Sequence, residues 1–258
     1  MTILHAESVS HSFSQKQVLS EIKLKVDKGR TYTIIGPNGS GKSTLLHTIA
    51  RQLKPDQGGV YLNGKDLYRL SPKKAAREIA LLAQDNGTAD LTVSQLVAYG
   101  RAPHKPMFGR IDEEDEMLID KVMCRTKLEH LKDRNVAQLS GGERQRAWIA
   151  LALAQQPTIL FLDEPTTYLD ISHQLDVLEI VSELRANGEV TVVMVLHDLN
   201  HAAAYSDEVV VLQNGRIYGQ GPPEVVMDQQ MFKDVFHVGA DIYKNEQSNV
   251  VRFVIKPL

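Results

Sequence analysis

Residues 36–44, GPNGSGKST, place Gly36, Gly41, Lys42 and Ser43 at the spacing Gly-x-x-x-x-Gly-Lys-Ser. The chemistry such a stretch can do is phosphate binding. Several backbone N–H groups must turn toward one anion, which calls for positive φ angles and no Cβ in the way. Gly36, Gly39 and Gly41, set among Pro37, Asn38 and Ser40, meet that demand. A helix starting here adds unpaired N–H groups and the positive end of its dipole. Lys42 can then neutralise the outer phosphates of a nucleoside triphosphate. The Ser43 hydroxyl, with Thr44 beside it, is a hard oxygen ligand suited to Mg²⁺.

Two carboxylates, Asp163 and Glu164, close the apolar run Ile159-Leu160-Phe161-Leu162. A buried strand would deliver them at its C-terminal end, the edge where α/β sheets bind ligands. Asp163 can hold Mg²⁺ through water, and Glu164, not needed for the metal, can polarise an attacking water. His197 follows the run Val192 to Leu196 and emerges at a sheet edge in the same way. Alone it reads as a structural histidine; beside Asp163 and Glu164 it reads as a group that touches a γ-phosphate or orients the water. The other histidines show no ligand spacing. A further turn, Leu139-Ser140-Gly141-Gly142-Glu143-Arg144-Gln145, opens another helix and is a second anion-binding start without a lysine. One nucleotide needs one cradle, so the second demands an explanation.

The elements that must hold these groups are legible in outline. Ile22, Leu24 and Val26 alternate at period two, and Val60-Tyr61-Leu62 before Asn63-Gly64 predicts a hairpin with a type I′ turn. Between them a helix is expected over Lys42 to Arg51. From about Leu91 to Pro157 the pattern turns helical, with one helix from roughly Glu143 that should bury Trp148 and Leu151. The acidic cluster from Asp112 to Glu116 is read as a helix start, where carboxylates meet the positive dipole end, and not as a metal site. The runs 159–162 and 192–196 lack alternation, as strands buried on both faces of a parallel sheet do. A last hairpin, Val209 to Leu212 with Asn214-Gly215 as its turn, precedes a tail of about 35 residues. One α/β core with a small antiparallel sheet and an inserted helical section fits this order.

Composition narrows the partners. Of 258 residues, 43% are hydrophobic and 24% charged, enough for a real core in one large α/β domain or two modest ones. The net charge of -3, with no basic block, shows no nucleic-acid footprint. The single cysteine, Cys124, rules out an internal disulfide framework, fits a reducing compartment and reads as a small helix-packing residue. MTILHAESVS lacks a basic stretch followed by an apolar one and is not read as a secretory signal. The longest apolar run, Ala147 to Ala154, is far short of the roughly 20 residues that span a bilayer. The chain is expected in the cytosol, or on the surface of something else.

The LSGG-x-x-Q element at 139–145, downstream of the phosphate loop, resembles the hallmark of ABC transporter nucleotide-binding subunits. The resemblance covers roughly residues 2–225 and implies a P-loop NTPase (RecA-like) α/β fold. A mainly parallel sheet core would span about 2–84 and 158–225, with an N-terminal antiparallel β-subdomain. A helical insertion would span about 85–157, and the tail, 226–258, would pack on the core. It also implies a head-to-tail homodimer in which ATP sits between Gly36 to Thr44 of one copy and Ser140 to Gly142 of the other. That accounts for the second cradle. Gln84 falls at the family's Mg²⁺- and water-contacting glutamine, Asp170 at the dimer seam, and Phe13 where an aromatic stacks on adenine. For Phe13 an ordinary strand-end aromatic is the alternative.

A finer resemblance rests on Tyr99-Gly100-Arg101-Ala102-Pro103-His104, on Phe108-Gly109-Arg110, on Thr166 to Gln174 and on Leu196-His197-Asp198-Leu199-Asn200. These look like the ATPases of iron–siderophore importers, with cobalamin and haem importers as near relatives. The implied function is ATP hydrolysis, with Mg²⁺, by Glu164 as base, His197 as positioner and Lys42 as charge clamp. The implied partners are a transmembrane permease and an extracytoplasmic substrate-binding protein, and the implied place is the cytoplasmic face of the membrane. Leu91 to Arg110 would meet the permease, with Tyr99, Met107 and Phe108 offering apolar contacts. A soluble relative acting on ribosomes or DNA is the second reading, but such proteins carry paired cassettes, a coiled coil or basic arms.

Overall fold

Polar and apolar residues alternate through β1 (Thr2–Phe13) and β2 (Lys16–Asp27). Ile22, Leu24 and Val26 are therefore buried on one face of β2 while Lys23 and Lys25 stay exposed on the other. The computed structural model describes residues 1–14, 16–84, 87, 89–106, 109–188, 190–244 and 250–258. After β2 come β3 (Thr31–Ile35), α1 (Lys42–Ile49), β4 (Gln57–Leu62) and β5 (Lys65–Asp66). Then follow α2 (Pro72–Glu78), β6 (Ile79–Leu82), α3 (Val93–Tyr99), α4 (Glu113–Arg125), α5 (Gly141–Ala154), β7 (Ile159–Asp163) and α6 (Ile171–Asn187). The chain continues with β8 (Thr191–Val195), α7 (Leu199–Tyr205), β9 (Glu208–Gln213) and β10 (Arg216–Gly221). It closes with α8 (Pro223–Val226), α9 (Gln229–Met231), β11 (Gly239–Lys244) and β12 (Val251–Lys256). These elements form two compact units, residues 1–69 with 191–258, and residues 70–190.

The first unit carries an antiparallel sheet in the order β2-β1-β4-β5, with Leu4 opposite both Val26 and Leu62. Its second sheet runs β10-β9-β3-β8. Here β3 is parallel to both neighbours, and Ile34 sits between Val195 and Val210. Every residue of β3 and β8 is buried, which is why neither alternates. Asn63-Gly64 and Asn214-Gly215 both hold positive φ at both positions, as the tight hairpin turns demand. The tail is an ordered layer: Met231, Phe232, Val251 and Phe253 share a buried cluster with Ile35, Val209 and Val211. Asn200 pins it, donating to the Phe253 carbonyl and accepting from the Phe253 N–H.

In the second unit, β6 and β7 pair in parallel, with Leu82 opposite Leu162. Three of its helices start with a reciprocal cap: Thr92 with Gln95, Asp112 with Asp115, and Ser140 with Glu143. Each cap is worth about 1 kcal/mol. Two sequence expectations fail here. Cys124 is exposed on α4, because the buried stripe of that helix is Ile119, Val122 and Met123; the charge of Glu129 beside it pushes its thiol pKa up. Trp148 and Leu151 are only half-buried on α5, whose inner face is small and tightly packed: Ala147, Ala150 and Ala154, with Ile149 and Leu153.

Candidate functional site

In the first unit, the loop 36–41 leaves the C-terminal end of β3 and runs into α1, while His197 lies just past the end of the adjacent strand β8. The phosphate loop and the histidine thus leave one sheet edge side by side. The loop is tightly held. A Cβ on Gly36, whose φ is 153°, would lie 2.1 Å from the Leu212 carbonyl oxygen. Lys42 is buried and its Nζ donates to the carbonyls of Gly36 at 3.0 Å and Pro37 at 3.2 Å, folding the cation back over the loop. The first turn of α1 has no side-chain cap and no acidic residue among the described residues. The Ser40 hydroxyl is buried and makes no hydrogen bond there. An uncapped helix start, a buried ammonium and an orphaned hydroxyl around one loop fit a phosphate anion. Phe13 ends β1 half-exposed, edge-on to the His11 ring at 4.8 Å between centroids.

The second unit holds the carboxylates. Asp163 is the buried last residue of β7. Glu164 follows in the left-handed region at φ 51°. That conformation costs a non-glycine residue about 1–3 kcal/mol and is kept only where the surroundings enforce it. The surroundings are Gln84, whose Nε2 donates to Glu164 Oε2 at 2.8 Å, and Thr167, whose Oγ1 donates to the same oxygen at 3.2 Å. Gln145, the last residue of the LSGG-x-x-Q element, donates to the Pro165 carbonyl and so ties α5 to the turn after Glu164.

Ser140 caps α5 and accepts from the Glu143 N–H, while Glu143 accepts from the Ser140 N–H. That backbone hydrogen bond, with Ser140's hydroxyl and nearby arginines, lowers the Glu143 pKa. Gly142 is buried beneath the turn, and a Cβ there would strike the His173 ring at 2.2 Å. His173 belongs to α6, which Asp170 caps through its Oδ1. The His173 N–H and the Ser172 hydroxyl, both donating to Asp170, hold its carboxyl below the usual range. Tyr168, before it, is exposed in the left-handed region at φ 64°.

A groove of about 760 Å³ opens on the same unit, lined by Leu91, Tyr99, Ala102, Lys105, Pro106 and Ile111 among others. Tyr99 on its wall is 60% exposed. Met107 and Phe108, expected to contribute apolar contacts, lie outside the described residues. Within the first unit, then, the structure brings together Gly36 to Thr44 with His197; within the second it joins Gln84 with Glu164 and sets Ser140 to Gly142 against the Asp170 helix. Sequence reasoning gave no role to His173, Thr167 or the ion-paired group of Arg101, Lys105 and Asp115, in which Arg101 and Asp115 are buried and Lys105 is half-buried. The first two lie in the stretch Thr166 to Gln174 and Arg101 in the stretch Tyr99 to His104, both noted only for the family resemblance, while Asp115 hid in an acidic run read only as a helix start.

The ABC transporter family model matches residues 19–167. Petrobactin import ATP-binding protein FpuC of Bacillus anthracis is 42% identical over 246 residues, 95% of this chain and 90% of its own length. Ferric enterobactin transport ATP-binding protein FepC of Escherichia coli is 44% identical over 234 residues, 90% of this chain and 86% of its own. Among solved structures, the ADP conformation of MJ1267, an ATP-binding cassette of an ABC transporter, superimposes with a TM-score of 0.82 at 30% identity. It covers 92% of this chain and 98% of that one. The phosphate loop, the Ser140-capped helix and these relatives agree: the chain belongs to the ABC transporter family, as one of its ATP-binding subunits.

Proposed function

We propose that this chain hydrolyses ATP to drive uptake of a ferric siderophore through a separate membrane permease. One observation carries the catalytic part: Glu164 is held in a costly backbone conformation at the end of a buried strand, its carboxylate oriented by Gln84 and Thr167. A carboxylate kept that way is suited to take the proton of an attacking water, with His197 positioning the water and γ-phosphate and Lys42 offsetting the phosphate charge. Ser43, the Gln84 carbonyl oxygen and Asp163 are the residues that would hold Mg²⁺. When bound, the ion neutralises charge on the outer phosphates. Mg²⁺ keeps several waters and uses few carboxylates, which suits a hydroxyl, an amide and one acid.

Ser140 to Gly142 form a helix start without a lysine, suited to the γ-phosphate of an ATP held by a second copy, with Asp170 at the seam and Phe13 against adenine. Residues 2–225 act in this reading as one ATPase domain, with 85–157 as the helical part that meets the permease at the Tyr99 groove. Among the described residues no helix is long and apolar enough to cross a membrane. A peripheral place on the cytoplasmic face and an extracytoplasmic binding protein upstream complete the proposal. The petrobactin and enterobactin names of the relatives support an iron chelate as cargo. Reconstitution with the native permease and binding protein tests it: labelled ferric siderophores should accumulate with ATP. Uptake of cobalamin or haem in their place would overturn the cargo and leave the ATPase intact.

A further inference from the structure

Residues 99–106 have two faces. Tyr99, Ala102, Lys105 and Pro106 line the groove, whereas Gly100, Arg101, Pro103 and His104 are absent from its lining. The second set grips the C-terminal end of α5. Gly100 lies so close to that helix that a Cβ would sit 2.3 Å from the Leu151 carbonyl oxygen and 2.9 Å from the Ala154 Cβ. Arg101 is buried; its Nη1 donates to the Ala154 carbonyl at 2.8 Å and to Gln156 Oε1 at 3.0 Å, while its Nε donates to Asp115. His104, at the end of a single 3₁₀ turn over Ala102–His104, makes a 2.8 Å bond between Nε2 and the Gln155 carbonyl. A carbonyl only accepts, so Nε2 carries the proton. Gln155 in turn donates to the Ala76 and Ile79 carbonyls, and Arg77 donates to the Pro103 carbonyl, so α2 closes the same knot.

The last carbonyls of a helix have no partners within it. Here Arg101 and His104 supply partners for Ala154 and Gln155. The other end of α5 is the Ser140 cap with Gly141 and Gly142, about 20 Å away at 1.5 Å rise per residue. A helix of that length moves as a rod, because its ladder and its packed alanine face resist bending.

We propose that Gly100 to His104 are a clasp that hands displacement of the groove wall to α5, and so to the turn that meets ATP on the second copy. Arg101 and His104 are its positioning residues. The inference rests on the groove being the permease-docking surface. The clasp explains why a glycine, an arginine and a histidine stand at these spacings: one allows contact, and two hold the helix end.

The test uses the subunit reconstituted in liposomes with the permease it co-purifies with, measuring permease affinity, basal turnover and permease-stimulated turnover. His104→Phe and Arg101→Gln should keep permease affinity and basal turnover. Stimulated turnover should fall about tenfold, the scale of a typical coupling between sites. His104→Gln, which keeps a donor, should restore most of it. Parental stimulation in His104→Phe, or equal loss in His104→Gln, overturns the clasp. Should Arg101→Gln fail to fold, His104→Phe decides alone, because His104 is half-buried and outside the Asp115 ion pair. Ala102→Glu on the groove wall checks the docking reading separately: it should weaken permease binding, and unchanged binding overturns the groove whatever the histidine variants do.

Discussion

The Gln84 side-chain amide donates to Glu164 Oε2 at 2.8 Å, the oxygen that Thr167 also addresses. Both donors act on one atom and fix the carboxylate's orientation, while the left-handed backbone at 164 fixes its origin. An amide at this position keeps the shape and loses the ability to take a proton. Glu164→Gln is therefore expected to bind ATP as the parent does while turnover falls about 10²–10⁴-fold, the usual weight of a general base. ATP-bound dimer should accumulate, as read by size-exclusion chromatography with light scattering. Turnover within threefold of the parent would remove Glu164 from the base role.

Lys42 is buried and folded over the Gly36 and Pro37 carbonyls, so its charge is already in place before phosphate arrives. Charge-assisted hydrogen bonds are worth about 1.5–3 kcal/mol, or roughly 10–150-fold in affinity. Lys42→Ala should weaken ATP binding by that order in calorimetry while leaving the thermal transition near the parent's. Undiminished heat on titration with ATP and Mg²⁺ would count against the phosphate cradle.

The phosphate loop, the two carboxylates, His197 and the capped turn at Ser140 were legible because each follows from a local rule: glycine at a tight anion nest, acids after an apolar run, a hydroxyl before a helix. What stayed hidden depends on non-local contacts. Asp115 reads as one acid in a run of five, and only the fold turns it inward against Arg101 and Lys105. Trp148 looked like a core anchor, but α5 packs through alanines and leaves the large ring at the margin. The tail gave no period to follow, since its strands pair with each other and its buried residues, Met231, Phe232 and Phe253, are set by contact with β9 and α7. Gly142 was legible as a glycine but not for its reason, the imidazole of His173 thirty-one residues on.

That contact makes a prediction of its own. Gly142→Ala must push the His173 ring aside or shift the Ser140 turn, because 2.2 Å is far inside carbon–carbon contact. ATP affinity of the single subunit should be unchanged, since this turn serves the other copy's nucleotide in the proposed dimer. In a Glu164→Gln background the ATP-driven dimer should weaken about tenfold or more, as misplacement of about 1 Å commonly does at such sites. Adding His173→Ala opens the space and should recover part of the loss by sedimentation. No recovery would mean that the added methyl obstructs ATP itself.

Asp115 ties the stability of the second unit to pH. Its side chain is 3% exposed and sits between Arg101, at 2.8 Å, and Lys105, while its own carboxylate also accepts from the Asp112 N–H at 3.2 Å. Burial alone would raise its pKa; the hydrogen bonds from Lys105, Arg101 and the Asp112 backbone overcome this and hold the carboxyl well below the usual range. A carboxyl whose folded pKa is depressed lends stability that is fully present above its unfolded pKa, about 3.9, and is lost as pH falls below it. Asp115→Asn leaves Arg101 buried without a counter-charge and should cost about 3–5 kcal/mol at neutral pH. The difference between parent and variant should shrink as the pH falls below about 4, because the unfolded parent takes up a proton on Asp115 while the folded one still holds it ionised. Thermal melts of both proteins across that range check this, and a gap that stays constant down to pH 3 would show that the ion pair does not supply the stability.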